Sequence, residues 1–143
     1  MTSILELRPG FRQRTSCSYW DFFVDGKRLA DVLNIRDFIP PLGWLDAGTE
    51  QHFVDMLLRK SDGDLPYNRV PLFVCPECAD YGCGAFSCVI ERTPSGIEWR
   101  EFGMQNDYDD EIHANQLDTS TVLTFDSTQY YNALRSRLAA ANL

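Results

Sequence analysis

Residues 70–103, VPLFVCPECADYGCGAFSCVIERTPSGIEWREFG, constrain the fold more than any other stretch. Three strand-like runs, four of the five cysteines and two turn signals fall in this one unbroken segment. Val70, Leu72, Phe73 and Val74 form a continuous apolar run, the pattern of a strand buried on both faces, and it predicts the central strand of a sheet. From Gly84 onward the alternation puts Phe86, Cys88 and Ile90 on one face and Ala85, Ser87 and Glu91 on the other. Thr93-Pro94-Ser95-Gly96 then supplies turn chemistry before residues 97–102, so a hairpin is expected. A four-residue turn pairs Ile90 with Trp99 but sets Glu91 against Glu98, and that like-charge opposition leaves the register open.

Around this segment the chain reads as short elements. Ile4, Leu5 and Leu7 suggest an opening strand closed by Arg8-Pro9-Gly10, and residues 17–24 suggest an antiparallel neighbour ended by Asp25-Gly26. Residues 27–33 carry a short amphipathic helical turn. Pro40-Pro41 and Gly43 then forbid regular structure in a loop that holds Phe38, Leu42, Trp44 and Leu45. Thr49 is placed to cap a helix to about Lys60, with Phe53, Met56 and Leu57 on its apolar face. After the hairpin come an acidic connection over 104–120 and a strand at 121–125. A last helix to about Ala140 follows, signalled by Asp126-Ser127-Thr128, with Tyr130, Tyr131, Leu134 and Leu138 on one face. Strands and helices do not alternate strictly, so the expected class is α+β: one domain over 1–143, a mainly antiparallel sheet and about three helices.

The 143 residues are 44% hydrophobic, enough for one sizeable core. Residues 1–8 lack the basic start and apolar run of a secretory signal, and no window approaches the roughly 20 apolar residues of a membrane span, so a cytoplasmic protein is expected. Thirteen Lys and Arg against 21 Asp and Glu give a net charge of −8, which disfavours nucleic acid or an anionic membrane as partner and favours a basic one. The charge is uneven: residues 101–134 contain no Lys or Arg, yet Glu101, Asp107, Asp109, Asp110, Glu111, Asp118 and Asp126 fall there. A solvated loop accounts for such a run. An interaction surface does so too, since uncompensated carboxylates repel one another unless a basic partner offsets them.

Cysteines in a cytosolic protein are expected to be reduced, and five is an odd number for complete pairing. Cys75-Pro76-Glu77-Cys78 has the shape of a zinc knuckle, in which two thiolates grip one metal while the turn aims its amides at the sulfurs. Cys83 is the nearest further ligand. Cys88 alternates with Phe86 and Ile90 as a core residue does, and His113 is distant. Cx2C-x4-C-x4-C lacks the wide separation usual between paired knuckles, so a structural zinc on Cys75, Cys78 and Cys83 stands beside plain reduced thiols, and the protein is expected to fold without zinc. A redox pair of the thioredoxin type fits poorly, because CPEC does not open onto a helix. The two histidines, His52 and His113, sit in no nucleophile–base context, and no nucleotide, hydrolase or metalloprotease motif is present, so no catalytic set is expected.

The segment 72–84 (LFVCPECADYGCG), the VIER…IEWREFG hairpin and the FDSTQYYNAL close at 125–134 resemble a family of small bacterial proteins of uncharacterised role, as does DFFVDGKRL at 21–29. That resemblance supplies no catalytic residue. In size and acidity the chain also resembles immunity proteins of secreted toxin systems, by type rather than by motif. The expectation is an immunity (antitoxin) protein whose Asp107, Asp109, Asp110, Glu111, Asp118 and Trp44 meet a basic cognate toxin. The alternative is a small zinc- or thiol-dependent enzyme or adaptor centred on the 75–88 cysteines.

Overall fold

Leu5 and Leu7 are buried and face Val24 and Phe22 across an antiparallel pair, β1 (Leu5–Arg12) and β2 (Cys17–Val24). The computed structural model describes residues 2–109, 112 and 118–138. β1 does not stop at Pro9-Gly10: Pro9 pairs with Trp20, and Gly10 leaves room for the Tyr19 ring that a Cβ there would strike. A two-residue β3 (Lys27–Arg28) adds to β2, where Arg28 Nε reaches the buried Asp21 carboxylate at 2.6 Å. One helical turn, α1 (Leu29–Val32), follows.

The second sheet contains four strands, β4 (Val70–Val74), β5 (Ala85–Thr93), β6 (Gly96–Gln105) and β7 (Asp118–Phe125), in that spatial order and all antiparallel. β4 is therefore an edge strand and not the central one. All five of its residues are buried, because helix α2 (Ala47–Leu57) packs on it and Ile39 covers its outer edge. Ile39 N–H donates to the Val74 carbonyl at 3.1 Å, and Val74 N–H returns the bond at 2.8 Å. Pro71, which has no N–H to give a ladder, is tolerated at such an edge.

The β5–β6 hairpin has the register that aligns Ile90 with Trp99 and Glu91 with Glu98. Arg100 relieves the like-charge pair: its Nη1 lies 3.3 Å from Glu91 and 2.9 Å from Glu98. Strict alternation along β5 fails, because a bulge between Ser87 and Val89 turns both Ser87 and Cys88 inward and leaves Phe86 half-exposed. A second irregularity in β6, between Arg100 and Phe102, places Glu101 in a left-handed conformation at φ 55°. The buried Arg69 side chain spans both sites, donating to the carbonyls of Ser87 and Glu101, to Ser87 Oγ and to Gln105 Oε1.

Phe22 stands between the sheets, edge-on to Phe73 at 5.8 Å and to Trp99 at 5.4 Å. Trp99 in turn packs against Phe125 and Tyr130, and its indole N–H donates to the Tyr130 hydroxyl, which donates to the Leu57 carbonyl at 2.7 Å. Tyr130 belongs to α3 (Ser127–Arg135), capped by Asp126 and ending short of the expected Ala140; Leu138 is buried just beyond it, and residues 139–143 lie outside the described ones. α2 is capped by Asp46 and not by Thr49: Asp46 accepts from the Thr49 amide at 2.9 Å and the Thr49 hydroxyl at 2.7 Å. Gln129 ties α3 to β1, accepting from Leu5 N–H at 3.0 Å and donating to the Leu5 carbonyl at 2.6 Å. The class is α+β, as the sequence suggests, with the antiparallel strands divided between two sheets. Among the described residues no helix is long and apolar enough to cross a membrane.

Candidate metal centre

β4 ends at Val74 and delivers the chain straight into Cys75-Pro76-Glu77-Cys78, a turn closed by the Ala79 amide donating to the Cys75 carbonyl at 2.9 Å. Ala79 adopts φ 57°, a left-handed conformation that reverses the chain. Asp80 then accepts from the Gly82 amide at 2.7 Å and starts the single 3-10 turn Tyr81–Cys83, after which Gly84, at φ 95°, leads into β5. Two reversals in ten residues bring the sulfurs of Cys75, Cys78 and Cys83 within 4.8 Å of one another, with Cys78 and Cys83 only 3.5 Å apart.

This spacing suits one metal ion. Zinc–sulfur bonds of about 2.3 Å at tetrahedral angles put sulfurs roughly 3.8 Å apart. The amides are also arranged for anionic sulfur: Asp80 N–H points at Cys78 Sγ from 3.4 Å, and those of Glu77 and Cys78 point at Cys75 Sγ. Burial alone raises the Cys75 thiol, but these donors outweigh it and hold Cys75 below the ordinary cysteine range. Cys83 moves the other way, to about 11, because it shares a hydrogen bond with Cys78 and faces the negative charge of Cys78 and Cys75. Three thiolates this close resist simultaneous ionisation unless a cation neutralises them.

No fourth ligand joins the three sulfurs among the described residues. Cys88 is wholly buried in the core, where desolvation pushes its thiol up, and His113 lies outside the described residues. Cys17 lines an open cleft with Trp44, Pro76 and Glu77, on the flank of the turn.

The expected partner-binding residues divide. Trp44 is half-buried, donates its indole N–H to the Pro40 carbonyl at 2.8 Å, and lines that same cleft. Asp107 borders Gly82, next to the cysteine turn. Asp107 and Asp109 belong to a tight turn after β6 in which the buried Asn106 accepts from the amides of Tyr108 and Asp109, both at 3.1 Å, and Tyr108 stands 73% exposed. Asp110 and Glu111 lie outside the described residues. Asp118 has a local occupation: its carboxylate accepts from the amide and hydroxyl of both Ser120 and Thr121, and these bonds hold its pKa at about 2.

One arrangement lies beyond sequence reasoning. His52 is not a bare helix-flank histidine: its Nε2 lies 2.7 and 2.8 Å from the two oxygens of Asp64, and the Tyr81 hydroxyl donates to the same carboxylate at 2.7 Å. Burial and the Asp64 charge push the Tyr81 phenol far up, so it remains a donor. Helix α2 is thereby bonded, through Asp64, to the segment between Cys78 and Cys83. The three residues are far apart in the chain, and no local pattern links them.

No family model, curated protein or solved structure matches this chain.

Proposed function

We propose that the chain is a small zinc-stabilised adaptor in which Cys75, Cys78 and Cys83 hold one zinc ion at the exit of β4. The convergence of three sulfurs within 4.8 Å under inward-pointing amides carries this reading. Zinc here orders the 75–84 turn and the surface around it, while the core of Phe22, Phe73, Trp99 and Tyr130 is complete without it. Protein purified without chelator is therefore expected to hold one zinc per chain. Chelation lowers its melting temperature without abolishing the fold, and Cys75→Ser or Cys78→Ser removes the metal. Zinc far below one per chain, after growth and purification with zinc supplied, overturns the reading.

A second reading, an immunity protein that blocks a basic toxin domain, is favoured by Tyr108. It is a large aromatic residue exposed between Asp107 and Asp109 on a turn pinned by buried Asn106. An aromatic anchor flanked by carboxylates suits a basic cleft. The test is association with the product of a neighbouring toxin gene: Tyr108→Ala weakens binding, and Asp107→Asn with Asp109→Asn slows it most at low salt. Binding rates unaffected by all three substitutions place the contact elsewhere.

A further inference from the structure

We propose that Cys78 and Cys83 form a peroxide-responsive dithiol, which closes to a disulfide and releases the metal from the site. For the metal release this rests on the zinc reading above. For the disulfide it rests on sulfur geometry alone.

The observation is the contrast between this pair and every other cysteine. The Cys78 and Cys83 sulfurs are 3.5 Å apart and both residues are exposed, so a bond of about 2.05 Å needs a closing movement near 1.5 Å. Cys75 also bonds to both thiols, but it is half-buried and its sulfur is further held by the amides of Glu77 and Cys78. Cys88 is inside the core. Cys17 belongs to the separate β1–β2 hairpin and bonds only weakly, to the Ser18 carbonyl at 3.9 Å. The segment between the pair reverses at Ala79 and is anchored by Tyr81 to Asp64, and a second reversal at Gly84 follows directly after Cys83, so the two sulfurs are held near each other.

The chemistry needs an oxidant, and a hydroperoxide supplies it. Cys78 Sγ, which accepts the Asp80 amide hydrogen, attacks the peroxide. A sulfur–oxygen bond forms, the oxygen–oxygen bond breaks, and the departing oxygen leaves as water after taking a proton. Cys83 Sγ then attacks the Cys78 sulfur: the sulfur–sulfur bond forms, the sulfur–oxygen bond breaks, and the hydroxide that leaves takes up the second thiol proton. Two thiols are oxidised by two electrons in total, and hydrogen peroxide is reduced to two waters. With two of its three thiolates consumed, the site keeps only Cys75 as a ligand and releases zinc, and a thiol reductant restores it.

The experiment treats the full chain, reduced and stripped of metal, with hydrogen peroxide, then maps it by mass spectrometry without reductant. The expected product has lost two hydrogens and yields a Cys78–Cys83 cross-linked peptide. Cys83→Ser stops at a sulfenic acid on Cys78, trapped by a carbon nucleophile such as dimedone. In a second arm zinc-loaded protein is oxidised and free zinc is followed with a chromogenic chelator; zinc appears in step with the cross-link, and a thiol reductant reverses both. A dominant Cys75–Cys78 or Cys75–Cys83 linkage, or oxygen adducts without any cross-link, overturns the proposal. If the cross-link forms in a protein that never takes up zinc, the dithiol stands and the metal reading falls. If zinc binds normally and no cross-link forms, the dithiol falls and the metal reading stands.

Discussion

Arg69 donates to the carbonyl of Glu101, the residue whose left-handed backbone makes the β6 bulge. The same Nη2 donates to the carbonyl of Ser87 at the β5 bulge, 3.1 Å away. One buried guanidinium thus satisfies acceptors at the β5 and β6 irregularities, the first buried and the second partly so. Arg69→Met keeps most of the volume and removes a buried charge, yet it orphans both carbonyls. Each orphan costs about 1–3 kcal/mol, so a net loss of about 2–4 kcal/mol is expected in urea unfolding. An unchanged midpoint removes Arg69 from this role.

Asp118 gives the protein an acid-sensitive joint at the start of β7. Its folded pKa of about 2 lies below the roughly 3.9 of an unfolded aspartate, so it stabilises above the unfolded value and that contribution is lost as pH falls through about 2. The stability gap between wild type and Asp118→Asn is therefore constant at neutral pH and narrows between about pH 4 and pH 2. A gap that stays level down that range shows the four hydrogen bonds to be indifferent to charge.

Ala79→Gly is expected to stabilise. A left-handed alanine costs roughly 1–2 kcal/mol in sterics, while glycine adds about 0.5–1 kcal/mol of unfolded-state entropy, which leaves a gain of about 0.5–1 kcal/mol. Differential scanning calorimetry of the metal-free protein checks it. Destabilisation means that the alanine methyl packs well enough to outweigh its strain.

Phe73→Ala removes a wholly buried ring that meets Phe22 edge-on, and about 3–5 kcal/mol of stability goes with it. A denaturation midpoint that barely moves contradicts the burial of β4.

What the chain discloses by itself follows the range of each interaction. The β5–β6 hairpin is legible because Thr93 to Gly96 is local turn chemistry, and the bounds of β2 follow from one apolar run stopped by Asp25-Gly26. The position of β4 is not: burial on both faces reads the same at an edge as at a centre, and Pro71 is the one hint. The bulges of β5 and β6 are not marked, since Glu101 is not a glycine and Ser87 is an ordinary strand residue. Asp46 and Thr49 are both capping residues three apart, and only their mutual hydrogen bonds reveal which one caps. Cysteine spacing announces the cluster of three sulfurs, whereas the link from His52 through Asp64 to Tyr81 exists only once α2 has packed. In Asp118-Thr119-Ser120-Thr121 the local hydroxyls explain the carboxylate better than a distant partner does.

The Gln129 carboxamide grips the backbone of Leu5 from 124 positions further along the chain. Seen from the ribosome, this makes the order of synthesis matter. β1 emerges ahead of the whole second sheet and of α3, so the first hairpin waits with Leu5, Leu7 and Phe22 uncovered while that sheet is still being made. A nascent chain in that condition is a substrate for holding chaperones. Arrest of translation before α3 is exposed leaves a product that proteases cut within β1 and β2, and release of the remainder closes that window.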